Sequence, residues 1–567
     1  MNDLLNGEII YRSKHYKTKE IKTIVSSIRN LLDELPLDDG EYCAIAMPRC
    51  DYIFFTLYAL YESHIPFLII DTTLPMERIG YMLETCEIIN ILTVSFAKRI
   101  LDDYSTHNVD EIIPQANCQA SHRIRHTDIA YALFTSGTTG FPKGVCVLRE
   151  GLDNFISSIP RYIPLKPGST MCSFTNISFD IFLLEVFVFM KVGGIIYIPS
   201  EEECINPKKM LSIISNQKIQ VTQMTPSRLR MLQSVNKTLN MLDTLKILLV
   251  GGEPFPSDML HTLQDYTNSR IYNMYGPTET TIWSTIADLT SSSNVYIGRP
   301  IDNTRIYLLD DNLNEVMPGE IGEICIAGQG LAKGYIKNTK KTNEAFLQMN
   351  SAHMERIYRT GDLGQYVNGF LYCLGRNDQQ IKLFGHRIEL EEIDSVIIAS
   401  NLVDSVCNCY DKTKEKIICF YKSSQVVDAH KFNDCLCEKI PDYMIPANYI
   451  HVDSFLYTSS GKIDRNLMLE NYYKEDVDIP VFFNGLEGDI NVSSQDKIIN
   501  IIEGNLNQKQ NIHIKMSELH IPSIVFIKII TEIEDELNVE FDMDMLEIHN
   551  YDTLNDFIDY SLKLLKN

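Results

Sequence analysis

The sequence predicts a multi-domain α/β protein: a large N-terminal core, a small α+β unit after it, and an all-α helical bundle at the end. Three observations carry this. A chain of 567 residues is too long for one compact core. Short apolar runs recur between helical patterns through the first part of the chain. The final stretch carries isoleucine and leucine at helical spacing in three separate segments.

Taken in order, the runs Cys43 to Met47, Pro66 to Ile70, Ile91 to Val94, Ile195 to Ile198 and Leu245 to Val250 read as strands. Helical patterns separate them, so parallel layers are expected up to about Leu374. From Gly375 the pattern becomes a smaller α+β unit ending near Tyr473. The polar stretch Lys474 to Asp489, with Asn484, Gly485 and Gly488, reads as a linker. Beyond it, Ile498/Ile499/Ile501/Ile502, then Ile524/Ile527/Ile530/Ile533, then Leu554/Phe557/Ile558/Leu562/Leu565 predict three helices of a small bundle. The expected boundaries are 1–377, 378–473, 474–489 and 490–567.

Composition narrows the function. At 45% hydrophobic and 22% charged the chain is ordinary for a globular protein. A formal charge of −24 disfavours nucleic acid and anionic membrane surfaces as partners. The most apolar stretches, Tyr52 to Ile70 and Ile181 to Ile198, are interrupted by Glu62 and His64, and by Glu185 and Lys191, as buried elements are and membrane spans are not. Met1-Asn2-Asp3-Leu4 lacks the basic-then-apolar order of a secretory signal. The 14 cysteines therefore read as reduced thiols, and a cytoplasmic location is expected. Cys407/Cys409 and Cys435/Cys437 are spaced too tightly for a zinc ribbon.

The strongest local signal is Thr135-Ser136-Gly137-Thr138-Thr139-Gly140-Phe141-Pro142-Lys143-Gly144. Glycine lets backbone N–H groups approach phosphate oxygens, hydroxyls add donors, and Lys143 adds a point charge. Pro142 before the lysine excludes a Walker A loop. The run resembles the signature loop of the adenylate-forming superfamily, which includes nonribosomal peptide synthetase adenylation domains, acyl-CoA synthetases and luciferases. Four further stretches resemble that family's motifs in the expected order. These are Asn273-Met274-Tyr275-Gly276-Pro277-Thr278-Glu279, Tyr358-Arg359-Thr360-Gly361-Asp362-Leu363, Gly375-Arg376-Asn377-Asp378-Gln379-Gln380 and Ser460-Gly461-Lys462-Ile463-Asp464-Arg465.

The resemblance implies an adenylate-forming core with a small C-terminal subdomain, working on ATP and Mg²⁺. It implies that Thr135, Ser136, Gly137, Thr138, Thr139 and Lys143 meet phosphates, together with Gly252, Glu253, Gly276 and Thr278 around the nucleotide. Tyr275 would stack on adenine and Asn273 bond its edge. Asp362 and Arg376 would hold the ribose, and Glu279 the magnesium. Lys462 would touch both the carboxylate and the α-phosphate, where two anions must meet. Asp378 falls on the hinge about which the subdomain turns between half-reactions.

Phe179-Asp180 separates the branches of the family. A carboxylate in the apolar segment Ile177 to Val188 is costly unless paired. A substrate ammonium would pair it, whereas a plain N-cap for the following helix is the ordinary alternative. The pocket lining implied by the resemblance is Asp180, Ile181, Leu184, Gln223, Leu249, Gly251, Met274, Ile282, Trp283 and Lys462. It resembles the glycine-selecting pattern, with Met274 where leucine is usual. Trp283, the single tryptophan, would plug the space a larger side chain needs. Alanine or another very small amino acid is the alternative substrate, since one methyl is worth only about 1–3 kcal/mol of selectivity.

The tail resembles a peptidyl carrier protein, with Ser523 at the start of the second helix as the phosphopantetheine attachment site. Pro522 stands where the family normally has Asp. The partners implied are a phosphopantetheinyl transferase and separate downstream condensation or tailoring enzymes, with an MbtH-like activator as a further candidate. No condensation or thioesterase domain fits in the remaining length. Two other readings are an acyl- or aryl-CoA synthetase, which Asp180 and the tail oppose, and a noncatalytic docking protein, which Lys462, Glu279 and Asp362 oppose.

Overall fold

The computed structural model describes residues 4–97, 104–114, 122–137, 140–349, 355–376, 379–383, 385–457, 463–475, 494–506, 512–516, 519, 521, 523–537, 539, 541, 545 and 550–565. The chain divides into two compact units, Met1–Glu392 and Ile393–Asn567. The linker expected at Lys474 to Asp489 lies almost wholly outside the described residues, as do Asp378 and Lys462.

In the first unit the described strands form sheets of nine, seven and five strands, and a two-stranded hairpin. The nine-stranded sheet holds Val221–Met224, Ile247–Gly251 and Arg270–Tyr275 as parallel neighbours. The seven-stranded sheet pairs Cys43–Ile45 with Phe67–Ile69 and Asn90–Thr93 in parallel. Of these, Cys43–Ile45, Phe67–Ile69, Asn90–Thr93 and Ile247–Gly251 fall on the expected apolar runs and are largely buried. Between the sheets lies a shared apolar core that includes the helix Asp51–Glu62 and the helical stretch 181–191.

The sheet at 304–376 departs from the parallel expectation. Thr304–Leu309, Ile321–Gly328, Glu355–Val367, Phe346–Met349 and Phe370–Arg376 pair antiparallel throughout. Glu355–Val367 and Phe370–Arg376 are joined by Asn368 and Gly369, with φ of 53° and 82°. Two left-handed residues make the tight reversal whose twist matches a hairpin. Similarly, His64 takes φ 54° just after the Asp51–Glu62 helix. Glycine would fit that position without strain, and His64 holds it at some cost.

The hairpin Gln380–Leu383/His386–Glu389 packs with the first unit: the Gly385 N–H donates to Glu253, and Arg387 pairs with Glu279.

The second unit contains a three-stranded sheet, Ser405–Asp411, Lys416–Lys422 and Asn448–His451. Arg465 ties the start of the helix Arg465–Glu475 to it by donating to the Asn408 carbonyl and Asp394, both at 2.9 Å. The tail forms helices Ser494–Leu506, Ser523–Leu537 and Leu554–Leu564, as their periodicity predicts. Ile498, Ile502, Phe526, Ile529, Ile530, Ile533 and Phe557 build its core. Of the stripe expected on the second helix, Ile530 and Ile533 are buried, while the side chains of Ile524 and Ile527 lie outside the described set.

Candidate active site

The phosphate-loop motif joins the antiparallel strands Ile129–Thr135 and Lys143–Leu148. Thr135 is buried, and its hydroxyl finds no partner among the described residues. The Ser136 hydroxyl donates to the Arg387 carbonyl at 2.7 Å. The Gly137 N–H donates to Glu392 Oε2 at 2.8 Å. Lys143 Nζ lies 3.4 Å from Glu389 and 5.6 Å from the Tyr335 ring centre. Thr138 and Thr139 fall outside the described residues.

Beside the loop stands Glu279, in the short turn Thr278–Thr280 and fully buried. It accepts from the Tyr335 hydroxyl at 2.9 Å and from Arg387 Nη1 at 3.1 and 2.9 Å. Burial alone would raise its pKa. The charges of Arg387 and Lys143 overcome that and hold the carboxyl below its ordinary range, so Glu279 is ionised.

Next to it the strand Arg270–Tyr275 ends on the proposed nucleotide residues. The Tyr275 hydroxyl donates to Asp362 Oδ2 at 2.6 Å, which fixes the plane of its ring. Asp362 stands opposite Arg376 in the hairpin register, and Arg376 donates to Asp362 Oδ1 at 3.1 Å and to the Thr360 carbonyl at 2.9 Å. Asn273 Nδ2 donates to the Tyr296 carbonyl at 2.9 Å. Glu253 accepts from the N–H and hydroxyl of Ser227 at 2.8 and 2.7 Å. At Gly276 a Cβ would sit 2.7 Å from the Ile282 carbonyl oxygen, so the turn closes only on glycine.

The expected specificity residues come together on one face. Gln223 pairs with Leu249, and Gly251 with Met274. Paired residues, and residues two apart, share a sheet face, so all four point to one side. Ile181, Leu184, Leu249, Met274, Ile282 and Trp283 belong to a single buried cluster. Leu184 opens a π-helical turn, Leu184–Val188, within the stretch after Asp180. A Cβ on Gly251 would lie 2.8 Å from Trp283 Cη2, and one on Gly252 3.4 Å from Ile181 Cδ1. Trp283 is held there by a strained turn, in which Thr281 and Ile282 take φ of 64° and 66°. Two β-branched residues in left-handed backbone are unfavourable and mark a site the surroundings enforce.

Asp180 is 8% exposed, and its Oδ2 has no hydrogen-bond partner among the described residues. It occupies the N-cap position of the helical stretch but makes no side-chain capping bond there. Burial pushes its pKa up to about 6; Thr278 and the Ile181 N–H oppose this, and Glu279 adds to it. Gln223 Nε2 and Trp283 Nε1 are likewise buried without partners. A buried carboxylate with one oxygen lacking a partner among the described residues is costly unless a cation pairs with it.

Sequence reasoning missed Arg387, Glu392 and Tyr335. The one signal available was the alternation of charge in His386-Arg387-Ile388-Glu389, and nothing marked Tyr335. Ser523 begins the second helix of the tail bundle, where it was expected.

These features find their counterpart in known proteins. The model of the AMP-binding enzyme family matches residues 7–336, and that of the phosphopantetheine attachment site matches residues 496–561. The dimodular nonribosomal peptide synthase of Bacillus subtilis (strain 168) is 32% identical over 468 residues, covering 79% of this chain and 19% of its own. The chain spans less than half the length of the first curated relatives it matches. The structure of holo-PA1221, an NRPS protein containing adenylation and PCP domains, superposes with a TM-score of 0.80 at 20% identity, over 98% of this chain and 93% of that one. The Vibrio cholerae adenylation domain AlmE in complex with glycyl-adenosine-5'-phosphate does so with 0.73 at 20% identity, over 83% and 95%. Among the described residues no helix is long and apolar enough to cross a membrane. The chain belongs to the AMP-binding enzyme family, and its tail matches the phosphopantetheine attachment site family.

Proposed function

We propose that the chain activates glycine as glycyl-AMP and passes the glycyl group to a phosphopantetheine arm on Ser523. The observation that supports the substrate reading is the buried Asp180 carboxylate, whose Oδ2 has no partner among the described residues, together with the Trp283 ring packed against Gly251. Asp180 takes the ammonium. Trp283, Met274, Ile282 and Leu184 are bulky, uncharged and buried together, so they would exclude a larger side chain and offer it no charge.

In the first half-reaction a carboxylate oxygen bonds to the α-phosphorus. The bond to pyrophosphate breaks, and pyrophosphate leaves with the electron pair. Thr135, Ser136, Gly137, Thr138, Thr139 and Lys143 receive the phosphates, Tyr275 and Asn273 the adenine, and Asp362 and Arg376 the ribose. Lys462 bridges the two reacting anions. In the second, the arm's thiol loses its proton as sulfur bonds to the carbonyl carbon, and AMP leaves. Asp378 is the hinge between a core at 1–377 and a subdomain at 378–473.

Magnesium fits Glu279, a buried carboxylate beside the loop. That carboxylate is ionised, and no group of three or more potential ligands occurs among the described residues. A Mg²⁺ ion commonly brings its remaining ligands as phosphates and waters, and when bound it offsets phosphate charge. Arg387 holds Glu279 in the structure and must give it up for the metal. The acyl group would then go to separate condensation or tailoring enzymes in the cytoplasm. A phosphopantetheinyl transferase supplies the arm, and an MbtH-like activator is a candidate partner.

Amino-acid-dependent ATP–pyrophosphate exchange tests the substrate. Glycine should give the highest rate and alanine the next. Highest exchange with a large or charged amino acid would contradict the pocket reading.

A further inference from the structure

Glu392 is fully buried, and its two oxygens are divided between two partners. Oε1 accepts from Arg78 Nη1 at 2.8 Å, and Oε2 accepts from the Gly137 N–H at 2.8 Å. Arg78 is 7% exposed and lies on the helix Met76–Thr85. One turn further along the same helix, Tyr81 stacks on Phe141, with ring centres 4.7 Å apart and planes at 26°. A single helix therefore grips both ends of the phosphate loop: Gly137 through Glu392, and Phe141 through a ring.

The chemistry of the grip is that of a filled anion site. Gly137 N–H, a donor suited to a phosphate oxygen, is given to Glu392. Lys143, suited to the same task, faces Glu389. Glu279, suited to a cation, faces the Arg387 guanidinium. When pyrophosphate leaves, these donors lose their partners, and buried donors without partners are costly. Protein carboxylates that enter in its place remove that cost. A carboxylate and a phosphate oxygen cannot share the Gly137 N–H, and in a dry site they repel.

We propose that Arg78, acting through Glu392, is a positioning residue that holds the phosphate loop in its pyrophosphate-free register. The pair competes with ATP and with pyrophosphate, and it supports the transfer step that follows their departure. This rests on the two-step reading above. Arg78 makes the competition effective because its guanidinium holds Glu392 Oε1 and so leaves Oε2 aimed at Gly137.

The test separates the half-reactions in the holo-protein. ATP–pyrophosphate exchange gives KM for ATP and kcat. Single-turnover transfer from preformed aminoacyl-AMP to the arm gives the second rate. Glu392→Gln can still accept from Arg78 through its carbonyl oxygen but then turns an NH2 donor, not an acceptor, toward the Gly137 N–H. We expect it to lower KM for ATP and to slow transfer, each by roughly tenfold, with the kcat of exchange unchanged. Arg78→Gln should do the same, Arg78→Lys should restore transfer, and the double variant should be no worse than Glu392→Gln alone. If transfer keeps the wild-type rate, or if both half-reactions fall in proportion, the proposal is overturned. Should Arg78→Gln fail to fold, Glu392→Gln carries the test. Wild-type protein without exchange would sink the functional reading instead, whatever the variants do.

Discussion

Asp180 sets the terms at the scale of single residues. Its pKa lies near 6 in the fold against an ordinary 3.8. Between those values the folded state keeps a proton that the unfolded chain has lost, so stability rises as pH falls through 6 toward 4. Above about 6 the whole cost is present, about 3 kcal/mol as an order of magnitude. Activity runs the other way, because only the carboxylate pairs with an ammonium. The kcat/KM for the amino acid should therefore fall as pH drops through about 6. Asp180→Asn should unfold at higher temperature than wild type at pH 7 and lose amino-acid-dependent exchange; a variant that is both less stable and fully active would refute the assignment. Trp283→Ala makes the complementary statement about size. It should cost about 3–5 kcal/mol in chemical denaturation and admit larger amino acids in the exchange assay. Selectivity left unchanged by this substitution would mean that Trp283 is only a core residue.

Elements matter because they bring these residues to one place. The pocket face depends on register: a one-residue slip of Ile247–Gly251 would turn Leu249 and Gly251 away from Gln223 and Met274. Gly251 is also where the Met274 carbonyl and Trp283 ring come closest. Gly251→Ala should thus weaken glycine activation and cost about 1–3 kcal/mol from overpacking, measured by exchange and by thermal melting. The parallel strands were legible because an apolar run such as Ile195 to Ile198 has one use in a layered fold. The antiparallel sheet at 304–376 was not, since hydrophobicity carries no strand direction and its turns rest on left-handed residues such as Asn368. In the same way the motif residues were legible, because phosphate, ribose and ammonium each demand particular side chains. Arg387 and Glu392 were not, because their partners Glu279 and Gly137 lie 108 and 255 positions away.

At the scale of the whole molecule, one chain carries matches to two families, an AMP-binding enzyme and a phosphopantetheine attachment site. On the proposed function, an arm tethered at Ser523 would raise the effective concentration of thiol at the adenylate. The tail bundle has its own core, which runs from Ile498 to Ile558. Substitutions should therefore separate the steps. Lys462→Ala should abolish exchange, while Ser523→Ala should leave exchange intact and abolish covalent loading; loading of the Ser523→Ala protein would place the arm elsewhere. The most direct test of the central claim is the intact mass of the protein after a phosphopantetheinyl transferase and coenzyme A, and then after ATP, Mg²⁺ and an equal mixture of amino acids. The account predicts a phosphopantetheine adduct followed by a glycyl increment. An adduct that gains no aminoacyl group, or gains a large one, would contradict it.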